Sequence, residues 1–185
     1  MEGREPSLAR LVGASALLFS VLYFLSDAIE AIQGGFSDPQ LLLTLVAEAA
    51  VPVFVMGLYF VQRPRIGRLG FVSAIAYAYS FVFFTATVIY AMADATSDYS
   101  ALTDDLGALM TVHGAIMVIA GIGFGIAVIR ANVMPRWTGV MLVAGVVVVA
   151  ATQEAPGGIQ LAAAGVRDIA FAGMGIALLR AHPFP

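Results

Sequence analysis

Six stretches of this chain are apolar for long enough to cross a bilayer, and that property leaves it few folds. They run near 8–33, 40–62, 69–93, 106–130, 137–153 and 158–180, the fifth being the shortest. Inside lipid the backbone has no water to bond with, so a span needs about 20 mostly apolar residues closed on themselves as a helix. Of the 185 residues 61% are hydrophobic and 11% charged, whereas about 25% of a soluble domain is charged. The expected fold is all-α: a single integral membrane domain over 1–185, a bundle of six transmembrane helices with no separate soluble part. The first stretch is expected to stay as a span. It is too long for a cleaved signal and carries Asp27 and Glu30 near its end.

The connections fall into two chemical classes. Arg4 and Arg10 precede the first span, Arg63, Arg65 and Arg68 join the second to the third, Arg130 and Arg136 join the fourth to the fifth, and Arg180 ends the sixth. The alternate connections, "GGFSDP", "DATSDYSALTDD" and "QEAPGG", hold acids and no arginine. Cytoplasmic loops are enriched in Lys and Arg, so the arginine side is expected to be cytoplasmic, with both termini there and the protein in the cell membrane. Pro64-Arg65 and Pro135-Arg136 fit either a duplicated hairpin or, more simply, helix ends that converged on one stop signal.

Against this frame the polar residues inside the spans stand out. A charge at the bilayer centre costs about 2.5–3.5 kcal/mol on insertion scales, so such residues mark function or a specific pairing. At a rise of about 1.5 Å per residue, Glu48 lies about 12 Å below the arginine-free surface, His113 about 10 Å, and Arg167 and Asp168 about 14–15 Å. Asp27 and Glu30 occupy the outer turns of the first span. All fall in one half of the membrane, and the other half of the same helices is nearly free of ionisable groups. Groups merely tolerated would scatter. A layer should turn inward and meet in a cavity open toward the arginine-free side.

Within that layer, neighbours on a helix point about 100° apart, so Arg167 and Asp168 are expected to take partners on other helices. Arg167 is the one cation available to Glu48 and Asp27, and Asp168 is expected to face His113 or the cavity. Asp27, Glu48 and Asp168 against one arginine leave two carboxyls without a fixed counter-charge, and at least one is expected to hold its proton at neutral pH. These three are the catalytic candidates, with Arg167, His113 and Glu30 supporting them. Each has a plainer reading too. Arg167 with one carboxylate makes a structural clamp, His113 can bond across helices, and Glu30 near the surface is readily solvated. Asp98, Asp104 and Asp105 read as a solvated run. Of the aromatic residues most should pack or face lipid, but Tyr23, Phe83 and Tyr90 are candidates to line the cavity, where ring faces would stabilise a cation.

Several chemistries find no support. The chain has no cysteine, no HExxH, no Gly-rich phosphate loop and no GxSxG elbow. A single intramembrane histidine (His182 is in the tail) offers no metal set, so neither metal nor cofactor is expected. Nothing basic enough for nucleic acid appears beyond the short arginine-bearing connections.

The segments "ARLVGASALLF" (9–19), "IRANVMPRWTGVMLVAG" (129–145) and "GVRDIAFAGMGIALL" (165–179) resemble small bacterial six-helix membrane proteins, mostly of unassigned function. The chain is also similar in layout to the small bacterial membrane-bound terpene cyclases of drimentine-type pathways, which act on prenylated indole or diketopiperazine substrates. That resemblance implies acid-initiated cyclisation of a farnesyl chain without metal or diphosphate loss. No diagnostic motif matches residue by residue, so it assigns no catalytic position. The buried acids and aromatic residues independently suit such chemistry, which needs a proton donor, a dry pocket and electron-rich walls. The expected function is thus an intramembrane, metal-independent cyclase of a lipophilic isoprenoid drawn from the membrane lipid. The alternatives are a small proton-coupled transporter, which six short helices would form as a homo-oligomer, and a non-enzymatic lipid-binding subunit.

Overall fold

A computed structural model of the chain describes residues 6–181. Among these residues seven helices follow one another: α1 (Pro6–Gln33), α2 (Asp38–Gln62), α3 (Gly67–Asp94), α4 (Tyr99–Leu106), α5 (Ala108–Ala131), α6 (Arg136–Ala151) and α7 (Gly157–Ala181). Five of them, all but α4 and α6, are long and apolar enough to cross a membrane, and α6 is a shorter apolar helix. The chain is accordingly read as a multi-pass membrane protein. Leu11, Ile32, Val53, Val72 and Ile119 are among many large apolar side chains left exposed, which suits helices wrapped in lipid rather than water.

The six apolar helices other than α4 form a closed ring in chain order, with α1 against α2, α2 against α3, α3 against α5, α5 against α6, α6 against α7, and α7 back against α1. Short connections favour this, because four or five residues can only return the chain to an adjacent antiparallel helix, and α3 reaches α5 through the short α4. The centre is filled by Phe54, Tyr77, Phe81, Phe124, Phe171 and Met174, each nearly inaccessible. Phe171 packs on Phe54 at 5.3 Å and on Tyr77 at 5.8 Å between ring centroids.

Two departures from the sequence expectation matter. The third connection is not all loop: Asp98 caps an eight-residue helix, α4, by accepting from the backbone N–H of Ala101 at 2.9 Å. That is an ordinary N-cap arrangement, which the spacing of acids had disguised as a solvated run. The fifth span ends at Ala151, two residues earlier than expected, where the Thr152 hydroxyl bonds the Val148 carbonyl at 2.8 Å. At 16 residues, α6 is about 24 Å long, short of a bilayer core of about 30 Å.

Close helix approach rests on paired glycines. A Cβ at Gly139 would meet the Gly125 carbonyl at 2.6 Å and one at Gly125 the Gly139 carbonyl at 2.7 Å; Gly13 and Gly175 are related in the same way across α1 and α7. Small residues at such seams let backbones touch. Gly139→Ala is therefore expected to destabilise the fold by about 1–3 kcal/mol, measured by unfolding in mixed micelles. Gly114→Ala, whose Cβ would meet nothing within 4 Å, should be neutral or slightly stabilising in the same assay.

Candidate functional site

Three of the spans deliver ionisable side chains to one place. From α7, Arg167 is 5% exposed; its Nη2 lies 3.6 Å from Asp27 Oδ2 on α1, and its Nε donates to Asp168 Oδ1 at 2.9 Å. The second contact corrects the expectation that adjacent residues could not pair. The guanidinium stem is long enough to fold back along its own helix to the next carboxylate, so the 100° offset of the Cβ atoms does not decide the matter. The guanidinium also covers the ring of Tyr23, 4.4 Å from its centroid. Tyr23 in turn donates its hydroxyl to Glu48 Oε1 on α2 at 2.7 Å. A single arginine thus links α1 and α7 directly, and α2 through a tyrosine.

Backbone contact makes this placement possible. A Cβ at Gly145 on α6 would come within 2.6 Å of the Arg167 backbone nitrogen and Cα. Only glycine lets α6 and α7 meet at that height.

Above Arg167 opens a cavity of about 450 Å³, within the usual range for small-molecule sites. Tyr23, Asp27, Glu48, Phe84, Met117 and Arg167 form its inner part, with Glu30 higher on α1. Gly34, Gly35, Asp98, Thr152 and Gln153 bring its wall up to the three arginine-free connections. A tie between two of them crosses the rim, as Phe36 N–H donates to the Ser97 carbonyl at 2.8 Å. The short α6 contributes Val149 from its last turn.

The remaining candidates are placed elsewhere. Asp168, 6% exposed, leaves the cavity wall and borders a small apolar void with Phe54, Phe81 and Phe171. His113 does not meet Asp168. It is held at the α3–α5 seam, with Nε2 3.1 Å from the Tyr79 hydroxyl, Nδ1 2.8 Å from the Leu109 carbonyl, and its ring stacked on Phe83 at 3.7 Å. Phe83 therefore packs against the histidine and is absent from the cavity lining, and Tyr90 is 38% exposed. The reason is helical phase. The inward face of α3 runs through Tyr77, Phe81, Phe84 and Val88 at steps of three and four, which turns positions 83 and 90 away. His182 lies outside the described residues.

Glu30 is not simply solvated, because Gln40 Nε2 lies 3.3 Å from its Oε2. The same amide reaches Thr44 Oγ1 at 3.0 Å and Ser26 Oγ at 3.2 Å, a buried network between α1 and α2. Sequence reasoning missed it, along with Tyr99 in the cavity wall. Its one signal was a Ser, a Gln and a Thr at the facing ends of adjacent spans.

Several buried polar atoms lack a hydrogen-bond partner, among them Glu48 Oε2, Arg167 Nη2 and Asp168 Oδ2. Glu48 and Arg167 line the cavity, so two groups of opposite character, each with a buried unpartnered atom, border it. Among the described residues no group of three His, Cys, Asp or Glu is arranged to hold a metal ion. No family model, curated protein or solved structure matches this chain.

Breaking a buried pair strands the other charge. Asp168→Ala is expected to cost on the order of 3–5 kcal/mol in chemical denaturation, and Asp27→Ala less, since its contact is longer and its side chain more accessible. A second expectation concerns the rim. The Ala101 N–H and the Ser97 hydroxyl hold the Asp98 carboxyl below its ordinary range, so the cap is at full strength above the unfolded carboxyl value. It is lost as pH falls through the depressed folded value, below about pH 4. Hydrogen exchange at the Ala101 amide should show protection lost in that window, and lost already at neutral pH in Asp98→Ala.

Proposed function

We propose that this chain spans the cell membrane with both termini in the cytoplasm, and that its cavity protonates and cyclises a lipophilic isoprenoid without a metal. The arginine-rich connections support the orientation, since they gather at one end of the ring and the cavity opens among the connections at the other.

One observation carries the chemistry. Glu48 sits 6% exposed in the cavity wall, with one oxygen bonded by Tyr23 and the other without a partner. The nearby cation is already engaged by Asp27 and Asp168. Two environments give carboxyls of one bundle different roles. Asp27 and Asp168 hold Arg167 and set the local field; Glu48 is the acid.

In the proposed reaction Glu48 gives its proton to an alkene carbon, the π pair forming the new C–H bond. The cation left on the neighbouring carbon is attacked by the next alkene, closing a ring. A final C–H bond returns its proton to the Glu48 carboxylate, so the product is an isomer of unchanged mass. Tyr23 and Phe84 line the path, and Phe54, Phe81 and Phe171 border the void beneath, offering ring faces to a transient cation. Membranes containing the protein, given farnesylated indoles, should yield cyclic isomers by mass spectrometry and NMR. Glu48→Gln should lower the rate by about 100-fold or more. Unrearranged substrate at every protein concentration rules the reading out.

A second reading has its own support. Glu48, Asp27, Glu30 and Asp98 all line the one cavity, and intramembrane carboxyls gathered in this way form proton relays in transporters. Toward the arginine end Leu58, Phe124, Leu142 and Met174 close the centre, so transport requires that plug to move. Proton uptake by proteoliposomes that depends on Glu48, with no rearranged isoprenoid, would favour it.

A further inference from the structure

The charge of the cavity wall specifies a ligand class more narrowly than its size does. Four carboxyls line it, those of Asp27, Glu30, Glu48 and Asp98, against the one guanidinium of Arg167. That guanidinium also carries Asp168 from behind at 2.9 Å, so two carboxylates offset its charge although its Nη2 has no hydrogen-bond partner. Asp98 is satisfied by its own helix and by Ser97, and Glu30 by Gln40. Glu48 is different. It is more than nine-tenths buried, belongs to the cavity wall, and has an oxygen that no protein donor reaches. Beside it stand the hydrocarbon and ring surfaces of Phe84, Met117 and Tyr23.

We propose that the cavity binds lipophilic ammonium compounds, a protonated primary or secondary amine on an apolar body, with the ammonium donating to Glu48 Oε2 and the body against Phe84 and Met117. An N–H donor supplies what that oxygen lacks, and a positive charge offsets the surplus of carboxyls. An anion would meet the same surplus as repulsion, with a guanidinium already committed to two carboxylates. The inference rests on the reading of this cavity as a ligand chamber, and does not depend on the cyclisation step.

The test uses the full chain in lipid nanodiscs and three probes of one skeleton: farnesylamine, farnesol and farnesoic acid at neutral pH. Equilibrium binding by scintillation proximity should rank the amine first and the acid last, with the amine at least about tenfold tighter than the alcohol. Glu48→Gln keeps an acceptor for Tyr23 and should reduce the amine to the level of the alcohol. His113→Gln, outside the cavity lining, should leave the ranking unchanged. Equal binding of amine and alcohol to the wild type overturns the proposal, as does preferential binding of the acid through Arg167. So does amine binding that Glu48→Gln leaves intact, which would be partition into lipid. Failure here is separable from failure of the cyclase reading: amine binding without isomerisation sinks only the latter, and isomerisation without amine preference sinks only the former.

Discussion

A single guanidinium buried among apolar helices organises this protein. Arg167 cannot stand in such surroundings alone, because an uncompensated charge there costs more than most individual contacts contribute. Its partners therefore come to it: Asp168 from the same helix, Asp27 from α1, and the ring of Tyr23 beneath its plane. Through Tyr23 the arrangement extends to Glu48 on α2. The glycine at 145 lets α6 close against the same turn. Ion pairing in this bundle is a positioning device, and its by-product is a carboxyl left over.

That leftover group gives the cavity two chemical halves. Its floor is a tyrosine, a paired arginine and an under-satisfied glutamate above an aromatic plug. Its upper wall is amides, hydroxyls and capped carboxylates contributed by the connections. A molecule that fills it must be greasy at one place and able to donate at another. Acid-initiated cyclisation and recognition of an ammonium both use this asymmetry, the first through the proton on Glu48 and the second through its charge.

The polar layer was legible because hydrophobic spans make polar residues conspicuous, and depth follows from counting along a helix. Asp27, Glu48 and Arg167 could be placed in one half of the membrane from sequence, and the structure brings them to one cavity. Rotation about each helix was less legible. His113 turns to Tyr79 and Phe83 rather than to Asp168, and Tyr90 lies on the wrong face of α3. The spans are apolar on every side, so no amphipathic stripe marks the inward direction.

The sequence by itself determined six apolar segments, their alternating direction and the half of the bundle that holds the acids. Those follow from hydrophobic length and from arginine placement, which are properties of the chain read in one dimension. Only the tertiary structure decided which face of each helix turns inward, that Arg167 reaches its own neighbour, and that Glu48 is bonded by Tyr23 rather than paired with the arginine. These depend on side-chain reach and on glycine seams that set helix rotation and spacing to within an ångström or so, information that periodicity in an all-apolar segment does not carry.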